Sequence, residues 1–287
     1  IHQFVANANK LAKVVDVSDD DIIAIKSGRL DFSGKKLRDF TFKCTDLSHA
    51  NFKGADLRGA VFSNINLSHA NFEYAKLKGT EFTEACLTSV NLQHAKLSDA
   101  EFNNCELDHV DANCADFTDS YIQQTTINNS NFTEAKLEGM NFYRSEIMNS
   151  LLHNVKLGGT DFESMSLTNV EFFDIQSNDV DFEDCQLNNV KFKNVDFEEV
   201  DFEQCKFVES EIISSKWLNG DVYQCGLVDV KIYDTTFENM DFNRSKFNNS
   251  KVDHVFDKVV FLNGEFEYVE CKGAQFTNSK FEGVNFE

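Results

Sequence analysis

The 287 residues contain no proline. An average chain of this length carries roughly 5% proline, about fourteen residues, and domains rich in turns normally recruit it. Long apolar runs are missing too. The longest are four residues, Ile22–Ile25 and Val259–Leu262, far short of a membrane-spanning helix. Basic side chains are scarce, 27 against 48 acidic ones, which leaves a formal net charge of −21. That balance excludes nucleic acid or an anionic membrane held by bulk charge. No initiator methionine and no signal-peptide pattern opens the chain, and the pattern described next is still running at Glu287. The sequence therefore reads as a fragment of a larger protein.

What is abundant is phenylalanine, 29 residues, and it is periodic. From Phe32 every fifth residue is large and apolar: Phe32, Leu37, Phe42, Leu47, Phe52, Leu57, and so on to Val252. Of those 45 positions only Ala112 and Ser177 break the rule. A mostly small residue stands two places before each centre, as at Ala50, Ala55, Ala60, Val190 and Val195. The remaining positions are mainly Asp, Asn, Glu, Lys, Ser and Thr. Five residues turn a helix by about 500°, so the apolar set would drift around it. On a flat strand five is odd, so successive centres would face opposite ways. The chain must turn a corner every five residues and coil about its own axis, each coil stacked on the last. That is a solenoid.

Phe and Leu alternate through the first half, a repeat of ten that does not by itself select a coil of twenty. The segments "ANFKGADLRGA", "HANFEYAKL" and "EAKLEGMNF" resemble the pentapeptide-repeat family: a small residue, Asp or Asn, Leu or Phe, then two variable residues. The resemblance covers about nine-tenths of the chain. It implies an all-β fold, a right-handed quadrilateral parallel β-helix with four pentapeptides per coil and about thirteen coils. Ala112 and Ser177 are then soft points in the core, the latter with a hydroxyl needing a partner.

Two segments depart from the repeat. Residues 1–30 place Phe4, Ala8, Leu11 and Val15 at helical spacing, with Ser18 as an N-cap and Gly28 as a stop. They are expected to form a short N-terminal helical cap over a β-helix of residues 31–287. Near 252–256 the register slips: centres resume at Phe256 rather than 257, so one residue has been lost. No such cap closes the far end, which leaves end-to-end self-association through the C-terminal coil open.

Charge is uneven. Between Asp31 and Ala100 there are 8 acids and 9 bases; between Glu171 and Glu211 there are 13 acids and 3 bases. In a twenty-residue coil, Asp161, Asp181, Asp201, Asp221 and Asp241 fall in one vertical stripe, with Glu163, Glu183 and Glu203 beside them. Stacked like charges repel, so the stripe is merely solvated, a surface for a basic partner, or an adventitious binder of divalent cations. Lys36, Lys76, Lys96, Lys136, Lys156 and Lys216 form a contrasting column. Tyr143, Phe173, Ile213, Tyr223 and Tyr233 stand where the motif has polar residues; Phe173, Ile213 and Tyr233 are candidate partner anchors.

Cys185, Cys205 and Cys225 take the inward small position, like Cys105. They are expected as reduced apolar filler, in keeping with a cytosolic compartment, bacterial or, for a secreted effector, that of a host cell. No C-x-x-C pair exists, and His49, His69 and His109 lack a third ligand type. No catalytic residue, cofactor or metal site is therefore expected. The reading is a non-enzymatic rigid module for protein–protein interaction or spacing, with no nucleic acid and no membrane insertion. The alternative that the family resemblance implies is an acidic DNA mimic that binds a type II topoisomerase.

Overall fold

The computed structural model describes residues 30–43, 46–248, 250–257, 260–262, 265–267 and 275–286. The expected helical cap lies outside these residues. The chain divides into two compact units, Ile1–Lys136 and Leu137–Glu287.

In the first unit every pairing is parallel and joins residues twenty apart. One side aligns Phe42, Phe62, Phe82 and Phe102. Two others align Asn51, Asn71, Asn91, Asp111 and Asn131, and Lys36, Asp56, Lys76, Lys96, Asp116 and Lys136; the fourth passes through Asp46 and Asn66. Each coil thus has four sides of five residues. The second unit repeats the plan. Phe142, Phe162, Phe182 and Phe202 stack on one side. Ile147, Leu167, Leu187 and Phe207 follow on the next, and Leu152, Phe172, Phe192, Ile212 and Ile232 on the third. The fold is an all-β parallel solenoid. Its described residues make about ten turns, fewer than the thirteen expected.

The corners explain the composition. The residue two places after a centre adopts positive φ, as at His69 (62°), Asn129 (50°) and Asp179 (56°). Asn, Asp and Gly tolerate that conformation best, and proline cannot adopt it. Between corners, backbone N–H groups pair with the next coil, as Leu57 N–H does with the Lys76 carbonyl at 2.8 Å, and proline would break such a ladder. The absence of proline follows from both requirements.

Centres and small residues fill the interior. Phe62 and Phe82 stack at 5.1 Å, Phe162 and Phe182 at 4.6 Å, Phe182 and Phe202 at 4.6 Å. Each buried side chain of this size stabilises by roughly 1.5–3 kcal/mol, with offset ring contact adding to it. Gly220 takes an inward position where a Cβ would run into the Val200 carbonyl. Further on, Tyr233 pairs with Asp253 but Thr236 with Val255, a shift of one residue. Twenty-residue register returns with Val255 opposite Gln275. Among the described residues no helix is long and apolar enough to cross a membrane.

Candidate functional site: an acidic ladder in the second unit

The residue before each inward centre points outward. On one side of the second unit this places Asp161 opposite Asp181 and Asp181 opposite Asp201. Asp221 bridges to Asp241, and the Asp221 N–H donates to Asp201 Oδ1 at 2.8 Å. All five are exposed. The residue after the centre makes a parallel row, Glu163 opposite Glu183 opposite Glu203. Tyr143 lies above Glu163 and Tyr223 below Glu203. The Arg144 guanidinium covers the Tyr143 ring at 4.8 Å, and that of Arg244 lies 6.0 Å from Tyr223. Each end of the glutamate row is therefore closed by a tyrosine and an arginine.

Like charges one strand spacing apart, about 4.8 Å, disfavour ionisation. Partial burial, then the neighbouring Asp201 and Asp161 carboxylates, push Asp181 up to about 6. Burial and the adjacent acids also raise Glu183 and Asp221. Among the described residues, none of the eight carboxylates has a basic side chain within ion-pair distance.

Phe173, Ile213 and Tyr233 do not join this ladder. They occupy a different side, in one column that runs His153, Phe173, Lys193, Ile213, Tyr233. Lys193 interrupts the apolar run, its Nζ lying 5.0 Å from the Phe173 ring centre, and the His153 ring packs on the other face at 4.3 Å. All three candidates are half-buried. The acids and the apolar residues thus form two surfaces, not one.

The inward cysteines are free. The Cys185, Cys205 and Cys225 thiols donate to the carbonyls of Phe162, Phe182 and Phe202 at 3.1, 3.3 and 3.3 Å. Burial pushes Cys105 up to about 11, so it is held as the thiol. The pattern alone did not reveal this hydrogen-bonding role of the small position, although its choice of Ser, Thr and Cys among small residues was the available signal. His49 and His69 stack at 4.7 Å, while His109 Nδ1 lies 2.9 Å from Asp108. No cluster of three or more His, Cys, Asp or Glu among the described residues could hold a metal ion. Ala112 is fully buried. Ser177 instead borders a surface depression of about 620 Å³, with Gln176, Asn178, Phe197, Lys216 and Leu218 around it.

Residues 55–132 and 125–202 match the family model of the pentapeptide repeat region. Among solved structures the chain is similar to HetL, a pentapeptide repeat protein involved in heterocyst differentiation regulation from the cyanobacterium Nostoc sp. strain PCC 7120. Identity is 14% over 92% of this chain and 94% of HetL, with a TM-score of 0.34. It is also similar to QnrB1, a plasmid-mediated fluoroquinolone resistance protein, at 22% identity over 60% of this chain and 85% of that one, TM-score 0.42. A pentapeptide repeat protein from the Arabidopsis thaliana thylakoid lumen shares 42% identity over 31% of this chain and 63% of its own, TM-score 0.31. No protein of curated function matches the sequence.

Proposed function

The chain belongs to the pentapeptide-repeat family, and from that premise we propose that it is a non-enzymatic, rigid module whose acidic ladder holds the basic face of a protein partner. One observation carries this reading. Among the described residues, eight carboxylates from Asp161 to Asp241 stand in register on one side with no basic side chain in ion-pair distance. Such a ladder weakens the isolated fold. A partner's lysines or arginines would remove that repulsion on binding and would be steered toward it. The column of Phe173, Ile213 and Tyr233 is a separate, secondary contact surface in this reading.

The alternative, an acidic DNA mimic that binds a type II topoisomerase, is less favoured because one side of the first unit is lined with lysine and arginine. The test is quantitative pull-down with the wild type against Asp181→Lys/Asp201→Lys/Asp221→Lys. These positions are exposed, so the fold should persist by circular dichroism. Basic proteins retained by the wild type should be lost from the variant; equal recovery contradicts the reading.

A further inference from the structure

A ladder of opposite sign lies on one side of the first unit. Four successive coils present Lys36 and Arg38, then Arg58, then Lys76 and Lys78, then Lys96. All are exposed except the half-buried Arg58. Local acids neutralise only part of it. Asp56 is buried and takes bonds at 2.8 Å from Nε of both Arg38 and Arg58, so one carboxylate serves two guanidiniums. Lys78 pairs with Asp99 at 3.0 Å. Among the described residues, Lys36, Lys76 and Lys96 have no carboxylate within ion-pair distance. Lys76 and Lys96 are bridged neighbours, so two like charges face solvent side by side, as do Asp181 and Asp201 in the second unit.

The two ladders share one pitch, because each rung is one coil. Ring stacking gives 4.7 Å between Phe52 and Phe72 and 4.6 Å between Phe162 and Phe182. Each also offers two side chains on its fuller rungs, flanking an inward centre: Lys76 and Lys78 in one, Asp181 and Glu183 in the other. Surfaces of equal pitch and opposite sign can meet rung for rung over four coils. At physiological salt, fields reach only about 8 Å, so the facing ladders outweigh the net charge.

We propose that the basic ladder of the first unit docks on the acidic ladder of the second unit of another copy of this chain. The contact is heterologous, a different patch from each copy. It rests on the reading of the acidic ladder as a partner surface and names the partner as a second copy.

Sedimentation velocity on the full chain tests this. The wild type should associate at about 0.15 M salt, where repulsion between the net charges is screened beyond about 8 Å, and be dispersed at about 1 M, where fields reach only about 3 Å. Lys76→Glu/Lys96→Glu and Asp181→Lys/Asp201→Lys should each associate at least tenfold more weakly. A mixture of the two variants should recover association, since each retains the ladder the other has lost. A monomeric wild type at about 0.15 M salt, or a mixture that stays monomeric, overturns the proposal. Loss in the acid variant alone also overturns it, while leaving the acidic ladder as the surface for a different partner. Association unchanged in both variants removes the self-docking and counts against the acidic ladder as well.

Discussion

Val190 and Ser210 stand one coil apart, and the Val190 N–H donates to the Ser210 hydroxyl at 3.1 Å. That hydroxyl shares its own proton between the carbonyls of Leu187, at 3.1 Å, and Val208, at 3.2 Å. At tight corners the N–H instead closes directly on the carbonyl three residues back, as from Ala55 to Phe52 at 2.9 Å. At the corner of 187–190, the side chain of the next coil is inserted into that bond. Ser130 does the same between Val110 and Leu107, at 3.0 and 3.3 Å, and Ser250 between Val230 and Leu227, both at 3.2 Å. The small residue of one coil thus completes the corner of the coil before it.

Ser210→Ala removes the bridge and leaves a buried N–H without its partner. The expected cost is about 1–3 kcal/mol, read from urea unfolding. Ser210→Thr keeps the hydroxyl and should cost less. Equal losses for the two variants would show that the hydroxyl does not complete this corner.

Ser177 breaks the line of large centres between Leu157 and Phe197, and its surroundings form the depression described above. Ser177→Leu should cover part of it and stabilise the second unit by about 1–2 kcal/mol. A lowered thermal midpoint would mean that the site is closed by backbone packing, with no room for the added carbons.

Asp181 fixes the sign of a pH effect. Its folded pKa, about 6, lies above the unfolded value of about 3.9, so the folded chain holds the proton more tightly. Its stabilising contribution is complete below about 3.9 and is lost as pH rises through about 6. The facing groups are Asp161, Asp201, Asp179 and Glu183, all acids, and Glu183 is raised as well. Urea midpoints of the second unit should therefore increase on acidification from about pH 7 to about pH 5. Asp181→Asn should flatten that slope and be more stable near neutrality. The opposite slope belongs to depressed groups such as Asp46 and Asp108 in the first unit, which act only below about pH 4.

The period of five, read through the family resemblance, made the four-sided coil, the inward centres and the acidic stripe legible before any coordinates, because burial permits only one phase for such a pattern. Asp161, Asp181 and Asp201 could be placed by counting in twenties. Three features could not. Phe173, Ile213 and Tyr233 share a column by the same arithmetic, yet Lys193 and His153 sit against the Phe173 ring, and only side-chain contacts reveal that. Arg38, Arg58 and Lys78 extend the lysine column at the position after the centre, where counting one position at a time hides a surface built from two. The hydroxyl bridges join three residues in two coils, so a linear pattern showed only the choice of Ser, Thr and Cys and not the bridges themselves.

Every ladder depends on residues twenty apart being vertical neighbours. The direct measurement is spin–spin broadening between nitroxide labels, with Cys44, Cys86, Cys114 and Cys271 replaced by serine. Labels at Glu183→Cys/Glu203→Cys attach to backbones about 5 Å apart and should broaden strongly. Labels at Glu183→Cys/Lys193→Cys stand on different sides of the coil and should remain sharp. Equal spectra from the two pairs, or broadening confined to the ten-residue pair, would contradict the twenty-residue coil.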